Sequence, residues 1–247
     1  MNVLNIKTKD IALAGVFTAM VAAATMTMSV FIAASGGFFN IGEIMIYITA
    51  LLMGPLIGGF AGGVGSMIAD IALGYTVFAP GTLIIKSVEG IIVGYVSRNR
   101  PTSLKESNWK FISVLTGIIV GGIIWAVGTT MYVGETSLSL GLPLIGYSEI
   151  SLSITESFWI VLSIIALIAI IITCISLEAE IGWLVISVLL GGITMVVGYF
   201  LYSSIIMGPI AAKAEIPFNI MQITIGLIVS IPLYKTIINI LPKYKIK

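Results

Sequence analysis

The stretch LIGGFAGGVGSMIADIALGYTVFAPGTLIIKSVEGIIVGYVS, residues 56–97, decides how this chain folds. Two apolar runs flank the turn GYTVFAPG, and the glycines of the first run recur at helical spacing. Each run approaches the ~20 residues that a helix needs to cross a bilayer. Neither shows the period-two alternation of a membrane β-strand. A bend of two aromatics and a proline then leads directly into Lys86 and Glu89. Charges in such a setting are costly unless they face the protein interior or a wet cavity.

The rest of the chain agrees with a membrane solvent. Of 247 residues, 58% are hydrophobic and 9% charged, against roughly a quarter charged in a soluble domain. Further apolar spans are expected at 11–34, 41–53, 111–132, 158–176, 182–207 and 217–240, with Pro217 in a first turn. The whole is read as one all-α polytopic membrane bundle of about eight spans, residues 1–247. The 41–53 segment, which ends at Gly54-Pro55, is short for a perpendicular crossing. Thr8 or Asp10 is placed to cap the first span, and Ser153 with Glu156 to form a capping box. The polar start MNVLNIKTKD, with no small-residue cleavage site after the next span, reads as leading into a retained first helix.

Net charge is +1, with no continuous basic surface for nucleic acid. No histidine is present, and the single Cys174 excludes an intrachain disulfide and reads as a small buried hydrophobe. No metal or cofactor site is expected. Lys7 and Lys9, then Arg98, Arg100, Lys105 and Lys110, then Lys243, Lys245 and Lys247 fall on one side if the 41–53 segment crosses. That side, with both termini, is expected to be cytoplasmic. The loop at 177–181, with Glu178 and Glu180 and no lysine, is neutral under this rule. GGIIWAVGTTMY at 121–132 echoes GGITMVVGYFLY at 191–202, by duplication of a helix pair or by shared composition.

Depth is informative for the polar groups. Glu43 lies about one turn inside its segment, Asp70 about one turn before the bend, and Lys86 about one turn after it. Two spans joined by a short bend run side by side, so Asp70 and Lys86 can pair, and Lys86 shares a face with Glu89. Two readings are open: an ion pair that locks helices, or charges that line a binding pocket. Phe38, Phe39, Tyr75 and Phe78 on the neighbouring turns favour a pocket, as does KAEIPFNIMQ with Lys213, Glu215, Phe218, Asn219 and Gln222. Tyr199 and Tyr202 read as ordinary interfacial aromatics. Small residues recur as Gly58/Gly62, Gly59/Gly63 and Gly90/Gly94, which suit internal packing, and as Gly15, Ala19 and Ala23, a smoother face open to an external partner.

The pieces GEIMIYITALLMGPLIGGFAGGVGSMIADIALGY, FAPGTLIIKSVEGIIVGYVSRNR, GGITMVVGYFLY and EIPFNIMQITIGLIVSIPLY resemble the substrate-binding S component of energy-coupling factor (ECF) transporters, of the riboflavin and hydroxymethylpyrimidine type. The resemblance covers about 11–100 and 183–235. It implies a six-helix core that captures a vitamin or precursor from outside and associates with a transmembrane coupling protein and two cytoplasmic ATPases. The coupling protein would meet Gly15, Ala19 and Ala23. The pocket would draw on Phe38 to Glu43, Tyr75 to Lys86 and Phe218 to Gln222. Residues 111–176 depart from the six-span pattern and read as an inserted helix pair with an external polar segment. The chain lacks a GKS or GKT phosphate loop, so ATP falls to another subunit, and no catalytic residues are expected. Rival readings are a stand-alone ion-coupled transporter, an intramembrane enzyme using Asp70 and Glu89, and a non-transporting scaffold.

Overall fold

In the computed structural model, residues 8–32, 36–101, 106–142, 146–176 and 179–241 are described. Lys7, Lys105, Glu178, Lys243, Lys245 and Lys247, on which the expected orientation partly turns, lie outside them, as do Ala34 and Ser35 of the first turn. Contacts divide the chain into two compact units, 1–99 with 184–247, and 100–183.

The first unit begins with α1 (Thr8–Thr27), followed by strands β1 (Ser29–Ile32) and β2 (Gly37–Asn40). The span expected to run to residue 34 therefore ends earlier. Val30, Phe31 and Ile32 leave the helix to pair antiparallel with Phe39, Phe38 and Gly37. Helix α2 (Glu43–Met53) follows, and its 11 residues rise only about 16 Å, half of a ~30 Å hydrocarbon core. Gly42 abuts Thr25 of α1, and Arg98 reaches the carbonyls that end α2.

Gly54, at φ +92°, separates α2 from α3 (Pro55–Leu73), where Pro55 fits the first turn. A left-handed residue is needed again at Gly74, φ +89°, where Gly74 N–H donates to Ile71 O and Tyr75 N–H to Asp70 O. The turn then starts α4 (Ala79–Arg98). Helices α3 and α4 approach backbone to backbone: a Cβ on Gly90 would lie 2.4 Å from Gly58 O, and one on Gly94 2.6 Å from Gly54 C. The expected internal role of these glycines is the one observed. On α1, Thr18, Val21, Ala22 and Thr25 are buried, with Thr18 and Val21 against Gly65 of α3.

Helix α7 (Ala179–Ile206) supplies Met195 to a core with Ile85 of α4 and Ile223 of α8 (Pro209–Ile240). Helix α8 begins eight residues before the expected 217, because the chain breaks at Gly208 and Pro209 takes the first-turn role. Pro217 is consequently inside the helix rather than at its start. Tyr47, Ile46, Leu51, Val93 and Val188 complete a core inaccessible to solvent.

The second unit pairs α5 (Glu106–Met131) with α6 (Glu156–Ser176). Gly117 and Gly121 meet Leu167 and Ile171, and Gly128 lies under the Trp159 ring, whose Nε1–H donates to Tyr132 O at 3.0 Å. Between the helices, β3 (Gly134–Leu142) pairs antiparallel with β4 (Gly146–Ile154). The polar segment is thus a hairpin. Ser153 belongs to β4, so the expected capping box gives way to Thr155, whose Oγ1 accepts from Phe158 N–H at 3.4 Å. Six helices of the described residues are long and apolar enough to cross a membrane, and Glu43–Met53 and Glu156–Ile168 are shorter apolar pieces. The all-α membrane bundle holds, with two hairpins added.

Candidate functional site

Helical spacing brings polar side chains to one end of the first unit, near the α3–α4 turn. Ser66 and Asp70 are four apart on α3, Thr82 and Lys86 four apart on α4, and Glu215, Asn219 and Gln222 share a face of α8. They line a hollow of about 480 Å³, counting the open space at its mouth. Thr25 of α1, Phe38 and Asn40 of β2, Phe78 and Tyr199 also line it.

Lys86, 3% exposed, donates to Glu43 Oε1, and its Nζ lies 3.2 Å from Glu89 Oε2. Glu89 Oε1 in turn accepts from the Tyr47 hydroxyl at 2.8 Å. The expected Asp70–Lys86 pair does not form. Glu43 enters from the start of α2 and Glu89 from the next turn of α4, and together they occupy the ammonium. Asp70 remains 4% exposed with Oδ2 unpartnered. Burying a carboxylate oxygen without a donor costs free energy that a partner would return.

The other side is equally polar. Ser203 donates to Glu215 Oε2 at 2.6 Å. Gln222 Nε2 donates to Asn219 Oδ1 at 3.1 Å, leaving Asn219 Nδ2 and Gln222 Oε1 buried without partners. The Tyr199 hydroxyl donates to Thr82 Oγ1 at 2.9 Å, and its ring centroid lies 5.4 Å from Lys86 Nζ. A stack of Phe38 on Tyr75, centroids 4.3 Å apart and planes 26° apart, forms an aromatic wall.

Of the residues singled out in the sequence, Phe38, Asp70, Phe78, Lys86, Glu215, Asn219 and Gln222 line the hollow. Glu43 and Glu89 stand behind Lys86, and Tyr75 stands behind Phe38. Phe39 is buried in β2 and Phe218 half-buried on α8, and neither is among the lining residues. Thr25, Asn40, Ser66, Thr82 and Tyr199 are lining residues that the sequence does not single out for the site. Ser66 and Thr82 carry a local signal, lying four residues from Asp70 and Lys86, whereas Thr25 has none. Gly15, Ala19 and Ala23 are exposed on α1, and nothing lies within 4 Å of a Cβ placed on Gly15.

Residues 5–179 match the family described as "ECF-type riboflavin transporter, S component". The chain belongs to that family. It is a multi-pass membrane protein of the substrate-binding S-component class, which is a transporter family and not an enzyme family. The match includes residues 111–176, which the sequence resemblance had set apart. A relative from Pyrococcus woesei, described as "Uncharacterized protein in gap 3'region", is 44% identical over 104 residues, 42% of this chain. The alignment spans 64% of that relative, less than two thirds of its length.

Proposed function

We propose that this S component captures a vitamin or vitamin precursor at the outer face of the cell membrane and delivers it through an ATP-driven importer. Release inward depends on a separate transmembrane coupling protein and two cytoplasmic ATPases, with both termini of the chain cytoplasmic. The observation that carries this reading is the hollow: aromatic side chains and buried, partly unpartnered polar groups converge on one space. Phe38, Phe39, Tyr75, Phe78 and Phe218 supply apolar surface in or around the site. Asp70, Lys86, Asn219 and Gln222 supply directed polar contacts, and Glu43 with Glu89 holds Lys86 in place. The exposed face at Gly15, Ala19 and Ala23 supports docking of the coupling protein there, because small residues allow close helix approach. Residues 111–176 are assigned as a two-helix insertion, and the division of the chain at 100–183 is consistent with that assignment. The chain itself performs no covalent chemistry in this account.

A stand-alone ion-coupled transporter is the second reading, favoured by the buried carboxylates of Asp70 and Glu89. Uptake of the solute that co-purifies with the chain, measured in cells with and without the ATPase module, separates the two. Loss of uptake without the module supports the importer. Uptake that persists and collapses with the proton gradient supports the second reading, and absence of both uptake and retained solute leaves a membrane scaffold.

A further inference from the structure

Four carboxylates, Glu43, Asp70, Glu89 and Glu215, line or back the hollow, and the ammonium among its lining residues is that of Lys86. That ammonium is already engaged by Glu43 and Glu89. Asp70 therefore brings its carboxylate to the hollow with Oδ2 buried and unpartnered.

We infer that the hollow selects a planar, positively charged solute, held by Asp70, and rejects anionic forms of the same ring. This rests on the reading that the hollow captures a solute, and names the chemical class. A cation beside Asp70 replaces an unfavourable buried acceptor with a charge-assisted hydrogen bond, roughly twice as strong as a neutral one. A phosphate or carboxylate would instead add like charge to an acid-rich space. The Asn219–Gln222 pair offers an NH2 group and a carbonyl oxygen side by side, which suits a ring edge carrying an acceptor next to a donor. Phe38 and Phe78 provide the flat apolar surface, with Tyr75 stacked behind Phe38. Asp70 Oδ2, Asn219 Nδ2 and Gln222 Oε1, buried and open in the free chain, then acquire partners in the bound state, as buried polar groups normally do.

The test uses the purified full-length chain in detergent and three pyridines bearing different groups at one position: 3-(aminomethyl)pyridine as its cation, neutral nicotinamide and anionic nicotinate. Calorimetric affinities at neutral pH are expected to rank the cation first, about tenfold or more tighter than nicotinamide, with nicotinate weakest. Asp70→Asn should erase the preference for the cation, and Glu215→Gln should reduce it. Tightest binding by nicotinamide or nicotinate overturns the charge inference while leaving capture intact. So does an unchanged ranking in a folded Asp70→Asn protein. Should that variant fail to fold, the ranking on the unaltered chain decides. If none of the three binds, the charge of any small molecule retained through purification decides instead: a cation supports the inference, and an anion or neutral molecule overturns it. No binding and no retained molecule remove the capture reading and this inference together.

Discussion

The two halves of α4 solve the same problem, buried polarity in an apolar bundle, in opposite ways. Toward its C-terminus, Arg98 donates to Ala50, Leu51, Leu52 and Gly94 carbonyls at 3.0–3.2 Å, closing the end of α2. Gly90 and Gly94 in the same half press against the backbone of Gly58 and Gly54. Toward its N-terminus, Thr82 and Lys86 face a hollow in which several buried polar atoms remain open. A helix end leaves carbonyls that must be satisfied, and the Arg98 half meets that need within the chain. The Lys86 half keeps unmet hydrogen-bonding capacity, which is what a site for an external molecule requires.

Substitutions can break this contrast, and the largest effect belongs to the packed half. Gly90→Leu places a side chain where Gly58 O stands 2.4 Å from the Cβ position. No folded, monodisperse protein should be recovered by size exclusion in detergent, and a normal elution profile would refute the close-packing role. Arg98→Ala comes next, removing donors from α2 carbonyls, with an expected loss of about 2–3 kcal/mol. Thermal unfolding in detergent should show it, while solute affinity measured below the transition stays near wild type.

Lys86→Ala should reverse that pattern. It releases Glu43 and Glu89 from the ammonium that holds them, and this loss of the hollow's shape, outweighing the added negative charge, is expected to weaken solute capture at least about tenfold, more than it weakens assembly with the coupling protein. Equal loss of both affinities would reduce Lys86 to a structural ion pair. The smallest effect on the chain alone is expected from Ala19→Leu, an exposed position on α1. Stability should move by no more than roughly 0.5 kcal/mol and capture should persist, whereas pull-down of the coupling protein falls. Undiminished complex formation would remove α1 as the docking face.

Much of this contrast is readable in residues 56–97, because glycine spacing and the Gly74 turn are local signals with a physical cause. The same holds for the bundle class and for the position of Lys86 near a bend. What escaped were competitions decided by pairing across the chain. Val30 and Phe31 continue an apolar run, yet β2 lies close enough to convert them to a strand. The alternation of serine with leucine or isoleucine at 137–140 and 151–154 carries the period of a strand inside an otherwise polar segment. Pro217 resembles a helix start, but Gly208-Pro209 provides an earlier one. For the site, Asp70 and Lys86 were found by depth along their helices, while their partners depended on where α2 begins. That choice, Glu43 over Asp70, is a tertiary fact with no local signature.

The most direct test is to denature the purified wild-type chain and quantify the small molecules it releases by mass spectrometry, beside the Lys86→Ala protein. This account predicts about one solute per wild-type chain, as for a single site whose dissociation is slow relative to purification, and much less from the variant. Equal release from both proteins, or none from the wild type, would contradict it.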